Sequence, residues 1–167
     1  QRIAAVAGNT ADELLAYYKR CDPAASPSDR LITALTASNF AVRSVLLAER
    51  KAARARAPVW MYSFDWETPA FGGRLKSPHS IDVPFVFDTL QVIGRAHHTP
   101  HAQTLADRVS RTWAAFARNG NPANPSIPAW PAYTAERRAT MRFDDDCHVV
   151  DDPDGEVRPL WRKVATA

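Results

Sequence analysis

The sequence predicts an α/β protein, rich in helix, with one or two central strands and a late β-hairpin. Two observations carry this. Val59–Phe64 is apolar almost throughout and does not alternate with polar residues, which is how a strand covered on both faces reads. Around it lie runs whose apolar residues recur every three or four positions, the period of an amphipathic helix. With 167 residues, 46% of them apolar, the chain can bury a core and is too apolar to remain disordered.

The elements follow in order. Thr10-Ala-Asp-Glu13 has the form of a capping box, in which hydroxyl and carboxylate exchange bonds with each other's backbone N–H, and it predicts a short helix to about Arg20. Asp22–Pro27 breaks the chain. Leu31, Leu35, Val42, Val45 and Leu46 keep helical spacing, with an interruption expected near Ser38-Asn39 and an end at Pro58. After the strand at Val59–Phe64 comes a loop from Glu67 to Ser80, then a short helix within Ile81–Leu90. Thr99 and Pro100 read as the N-cap and first position of a longer helix with a face of Leu105, Val109, Thr112, Trp113 and Phe116, stopped at Gly120. Ala139–Phe143 and Cys147–Asp151 read as two strands joined by an Asp-rich turn.

Charge and composition exclude some function classes. The net charge of +3 is mild, and the densest basic run, Arg50, Lys51, Arg54 and Arg56, lies in a helical pattern without interleaved aromatics, so no nucleic-acid partner is expected. No apolar run approaches the length of a membrane span, so no membrane partner is expected either. Cys21 and Cys147 lack metal-ligand spacing, and pairing between them stays open. His97 and His101 stand i, i+4, a spacing that can hold zinc, but Pro100 intervenes and no Glu supplies a companion base. The aspartates between Asp144 and Asp154 lack the EF-hand spacing and its final Glu, so they read as a solvated turn. No metal site is predicted.

Several blocks together resemble one family. Tyr62-Ser-Phe-Asp-Trp66, Gly72-Gly-Arg-Leu75 and His79-Ser-Ile-Asp-Val-Pro-Phe-Val-Phe87 are followed by Trp113-Ala-Ala-Phe-Ala-Arg-Asn-Gly-Asn-Pro122, Trp130-Pro-Ala-Tyr133 and Thr140-Met-Arg-Phe-Asp144. In order and spacing these resemble the C-terminal part of type-B carboxylesterases, the para-nitrobenzyl-esterase and cholinesterase-like branch of the α/β-hydrolases. The resemblance is strong from about Pro58 to Trp161. It implies that residues 1–167 form the C-terminal segment of one α/β-hydrolase domain whose upstream, nucleophile-bearing part is absent.

The resemblance implies that His79 is the catalytic base of a serine carboxylesterase. A neutral imidazole takes the proton of a serine hydroxyl as it attacks an ester carbonyl, then returns it to the leaving alkoxide. The family's Gly-x-Ser-x-Gly elbow does not occur here, and Glu13 is a poor triad acid because a local cap already accounts for it. Phe71 and Leu75, just before His79, are candidate walls of the substrate pocket, with burial in the core as the competing role. Asp82 stands where the family usually has an acid and is expected to cap or orient the short helix. Lys76 and Asp88 stand where glycine is common, and Ser77 replaces a frequent alanine. Ala37 replaces the acid of a Thr-Asp-x-x-Phe segment.

No metal or organic cofactor is needed for this chemistry. The expected partners are a small-molecule ester and the missing N-terminal part of the same domain, with a homo-oligomer as an option. Cytoplasm and secretion remain equally open. Two alternatives stand beside this: a non-catalytic, hydrolase-like binding module, or an independent helical interaction domain, which the lack of an exposed sheet edge beside Val59–Phe64 would favour; in a segment of a larger domain that strand should instead sit at a truncated edge or against another chain.

Overall fold

The computed structural model describes residues 2–92, 94 and 99–165, and the chain divides into two compact units, Gln1–Ala57 with Pro153–Ala167 and Pro58–Asp152. The first unit is helical. It contains α1 (Arg2–Ala7), α2 (Ala11–Cys21), α3 (Pro27–Thr36), α4 (Val42–Ala53) and α7 (Arg158–Ala165), the last not anticipated from the sequence. Its core gathers Ala7, Leu14, Tyr18, Ala34, Val42, Val157 and Trp161. The indole of Trp161 donates to the Tyr18 hydroxyl at 2.9 Å, so both polar atoms enter the core satisfied.

Two local expectations are corrected here. Thr10 does not form a capping box with Glu13, because α1 and a 3-10 turn (Gly8–Thr10) already precede α2. The Thr10 hydroxyl instead donates back to the Ala7 carbonyl at 2.6 Å, and Glu13 faces Lys163 at 3.5 Å. The capping box forms at Ser26, whose hydroxyl accepts from the Asp29 N–H while the Asp29 carboxylate accepts from the Ser26 N–H, both at 3.1 Å, with Pro27 at the first turn. The interruption expected near Ser38-Asn39 is a π turn (Ala37–Ala41) that joins α3 to α4. Joined in this way, Pro27–Ala53 is long and apolar enough, by length and composition, to cross a membrane, contrary to the reading of its separate runs. Ala34, Val42, Val45 and Ala48 of this stretch are buried, while Ile32, Phe40 and Leu47 are exposed.

The second unit holds a three-stranded mixed sheet. β1 (Met61–Phe64) runs parallel to β2 (Ala139–Phe143), with Tyr62 opposite Met141, and β2 runs antiparallel to β3 (His148–Asp151). Between β1 and β2 the chain forms α5 (Val83–Val86), a 3-10 turn at Leu90–Val92, and α6 (Pro100–Asn119). The predicted signals of α6 are present: the Thr99 hydroxyl accepts from the Ala102 N–H at 3.0 Å, and Gly120 takes the left-handed conformation at φ 67°. Ala102, Leu105, Ala106, Val109 and Thr112 are buried, Trp113 packs against the core, and Phe116 is exposed with its ring 5.8 Å from Trp60.

The expectation that β1 is covered on both faces fails. β2 is the central strand, with Ala139, Thr140, Met141 and Phe143 buried. β1 is an edge: among the described residues it pairs on one side only, Met61, Ser63 and Phe64 are half-buried, and Tyr62 is exposed. Four residues without proline or a charge make an open, unprotected edge. An edge at this strand is the outcome expected of a segment of a larger domain, and it counts against an independent helical domain.

Candidate active site

His79 lies between β1 and α5, on a segment tied to the sheet at several points. The β2 carbonyl of Phe143 accepts from the N–H groups of Asp65 (2.9 Å) and Trp66 (3.2 Å), and the Asp65 carboxylate pairs with Arg142. Buried Thr68 donates its N–H to the Lys76 carbonyl at 3.0 Å and accepts from the Ala70 N–H with its hydroxyl. The Ser77 hydroxyl donates to the Phe64 carbonyl at 2.9 Å, fixing the chain two residues before His79 to the end of β1. Beyond it, Ile81 N–H donates to the Pro78 carbonyl (3.1 Å) and Val83 N–H to that of Ser80 (3.2 Å), so residues 78–83 form overlapping turns. Below them Phe85 is fully buried, its ring 4.9 Å from both Phe64 and Trp66.

The backbone here is strained. Phe71, Lys76, Ser80 and Asp88 all have φ between 51° and 67°, a region that side chains other than glycine rarely occupy. Lys76 and Asp88, which the family resemblance sets against glycine, thus lie at positions whose backbone favours glycine. Such strain concentrates where surrounding structure over-determines a functional segment. Lys76→Gly keeps the Lys76 backbone bonds and loses an ion pair to Glu67 (2.9 Å) whose side chains are both more than half exposed. Relief of ~1.5 kcal/mol of left-handed strain exceeds the ~0.7 kcal/mol of chain entropy added by glycine together with a few tenths from that pair. The melting temperature should therefore rise by about 1–2 °C. A fall on thermal denaturation would show that Lys76 is not strained.

His79 is exposed. Phe71 and Leu75 are 71% and 45% exposed, so neither belongs to the core formed by this chain itself. Val83 and Phe87 add exposed apolar surface on the other side of His79 in sequence. Glu13 belongs to the first unit. His101 is exposed near the start of α6, His148 Nδ1 lies 2.8 Å from the Asp146 carbonyl oxygen, and His97 and His98 fall outside the described residues. Asp145 and Asp146 are exposed, and Asp144 accepts the Asp145 N–H. Among the described residues no cluster of three His, Cys, Asp or Glu side chains could hold a metal. Cys21 and Cys147 are both free thiols.

Asp82 corrects one expectation. It occupies the N-cap position of α5 but makes no side-chain cap bond. Its carboxylate accepts instead from the Tyr62 hydroxyl of β1 at 3.2 Å. Tyr62 is 38% exposed, and partial burial of its phenol, and next the Asp82 charge, push it up to about 12, so it remains a donor throughout the neutral range. Sequence reasoning missed Tyr62, for the only available signal was a polar tip on an otherwise apolar strand.

A family model described as the carboxylesterase family matches residues 6–157. The para-nitrobenzyl esterase of Bacillus subtilis (strain 168) is 36% identical over 107 residues, covering 61% of this chain and 21% of that protein. Among solved structures, a carboxylesterase of Geobacillus stearothermophilus matches with a TM-score of 0.80 at 35% identity, over 96% of this chain and 33% of that one. An esterase of Clostridium hathewayi, described as able to hydrolyse aliphatic aromatic polyesters, matches with a TM-score of 0.72 at 25% identity, over 97% of this chain and 31% of that one. The chain thus spans about a fifth to a third of the length of these relatives. With the α/β-hydrolase fold of these neighbours and its own family blocks in order, the chain belongs to the carboxylesterase family, in its type-B, para-nitrobenzyl-esterase-like branch.

Proposed function

We propose that this chain supplies the catalytic base, His79, of a serine carboxylesterase, and that the serine nucleophile and triad acid come from the remainder of the same hydrolase domain. The observation that carries the reading is the placement of His79: exposed, in a turn bound to the end of β1 through Ser77 and Phe64, inside blocks that match the family. The reaction is hydrolysis of a carboxylic ester. His79 removes the serine proton as the serine oxygen adds to the carbonyl carbon, then protonates the departing alkoxide, leaving an acyl-serine. The same imidazole then takes a proton from water as it attacks that acyl group, and returns it to the serine, releasing the acid. No metal or organic cofactor takes part. Phe71 and Leu75, both outside the core, are the proposed contacts for apolar parts of the ester.

On this reading the chain alone has no turnover, because the sequence contains no Gly-x-Ser-x-Gly nucleophile. Para-nitrophenyl acetate hydrolysis, followed by absorbance, should be absent with the chain by itself and should appear when the serine-bearing remainder is added. Turnover by the isolated chain, or equal turnover when the added chain carries His79→Ala, would reject the proposal.

A further inference from the structure

The bond between Tyr62 and Asp82 links the strand before His79 to the turn that carries it. We propose that Tyr62 and Asp82 are positioning residues: a strut between β1 and the 78–83 turn that sets the orientation of the His79 imidazole. The inference rests on the reading of His79 given above and adds the groups that hold it.

Three observations support it. An aspartate at an N-cap ordinarily accepts from the N–H groups of the helix it precedes, yet Asp82 leaves those of α5 and bonds a hydroxyl 20 residues away in sequence. The donor is itself fixed: the Tyr62 ring lies 5.0 Å from Trp113 at 82° and 5.9 Å from Phe143 at 65°, both edge-on, and its backbone belongs to β1. The acceptor is fixed too, because the Asp82 carbonyl accepts from the N–H groups of Phe85 and Val86 at 3.0 Å each. The turn is therefore held at both ends, by Ser77 on the Phe64 carbonyl before His79 and by Asp82 on Tyr62 after it. A catalytic group placed on a loop needs such support, because a displacement of an ångström costs much of the rate.

Tyr62→Phe keeps the ring and removes the donor. In the 15N-labelled chain, the ring-nitrogen resonances of His79 should move or broaden, while those of His101 and His148 stay in place as internal references. In the esterase that includes this chain, kcat for para-nitrophenyl acetate should fall about tenfold with KM within about twofold. Asp82→Asn, whose amide oxygen still accepts from Tyr62, should retain most of kcat, and Asp82→Ala should not. Unmoved His79 resonances in Tyr62→Phe, or equal losses in Asp82→Asn and Asp82→Ala, overturn the strut. If His79→Ala instead hydrolyses at the parent rate while Tyr62→Phe still shifts the His79 ring, the base assignment fails and the strut stands.

Discussion

If His79 is the base of a serine carboxylesterase, as proposed, His79→Ala is expected to lower the ester-hydrolysis rate of the protein that includes this chain by about 10⁴- to 10⁶-fold. An unassisted serine hydroxyl is almost wholly protonated at neutral pH and is a weak nucleophile. The substitution removes both the acceptor for its proton and the donor to the leaving alkoxide, so acylation and deacylation fail together. Apolar contacts that hold the ester are untouched, so KM should change far less than kcat. Steady-state hydrolysis of para-nitrophenyl acetate measures both kcat and KM. A variant within about tenfold of the parent would remove His79 from the base role, since general-base catalysis alone contributes more than that.

What the sequence made legible divides by range. Signals confined to a few neighbouring residues were readable: the hydroxyl of Thr99 and the proline after it, the left-handed Gly120, and the two short strands around the Asp-rich turn. Thr10 misled because a cap pattern has meaning only where a helix begins, and the chain was already helical there. Ser26 and Asp29 carry a similar pattern in the right place, where a proline-rich break obscures it. The edge position of β1 could not be read from its composition, because pairing is decided by segments about 80 residues away.

The candidate site shows the same division. As a candidate, His79 is singled out by its flanking blocks, not by spacing or periodicity. Its supports are not, since Ser77 to Phe64 and Tyr62 to Asp82 join residues 13 and 20 positions apart. Lys76 and Asp88 appeared in the sequence only as departures from glycine. Their positive φ angles convert those departures into stored strain beside the proposed base.

Phe85→Ala should destabilise the second unit by about 3–5 kcal/mol, the cost of emptying a large aromatic site in a packed core. Phe85 has no solvent exposure, and its ring meets Phe64 at the end of β1 and Trp66 at the start of the loop. Neither neighbour can collapse into the void freely: Trp66 is tied to the Phe143 carbonyl, and the Phe64 carbonyl is held by Ser77. α5 is a single turn, too short to persist on helical propensity, so the burial of Phe85 is what keeps it folded. Loss of that anchor frees the turn bearing His79 as well, so that turn should open at denaturant concentrations where the rest of the unit is still native. Phe87→Ala, two residues on and 70% exposed, serves as the contrast and should stay within about 0.5 kcal/mol of the parent. Urea unfolding followed by tryptophan fluorescence compares the two directly, because Trp66 touches Phe85. A loss below about 1 kcal/mol for Phe85→Ala would mean that α5 is held by something other than its buried aromatic, since so small a cost is typical of positions without a packing role.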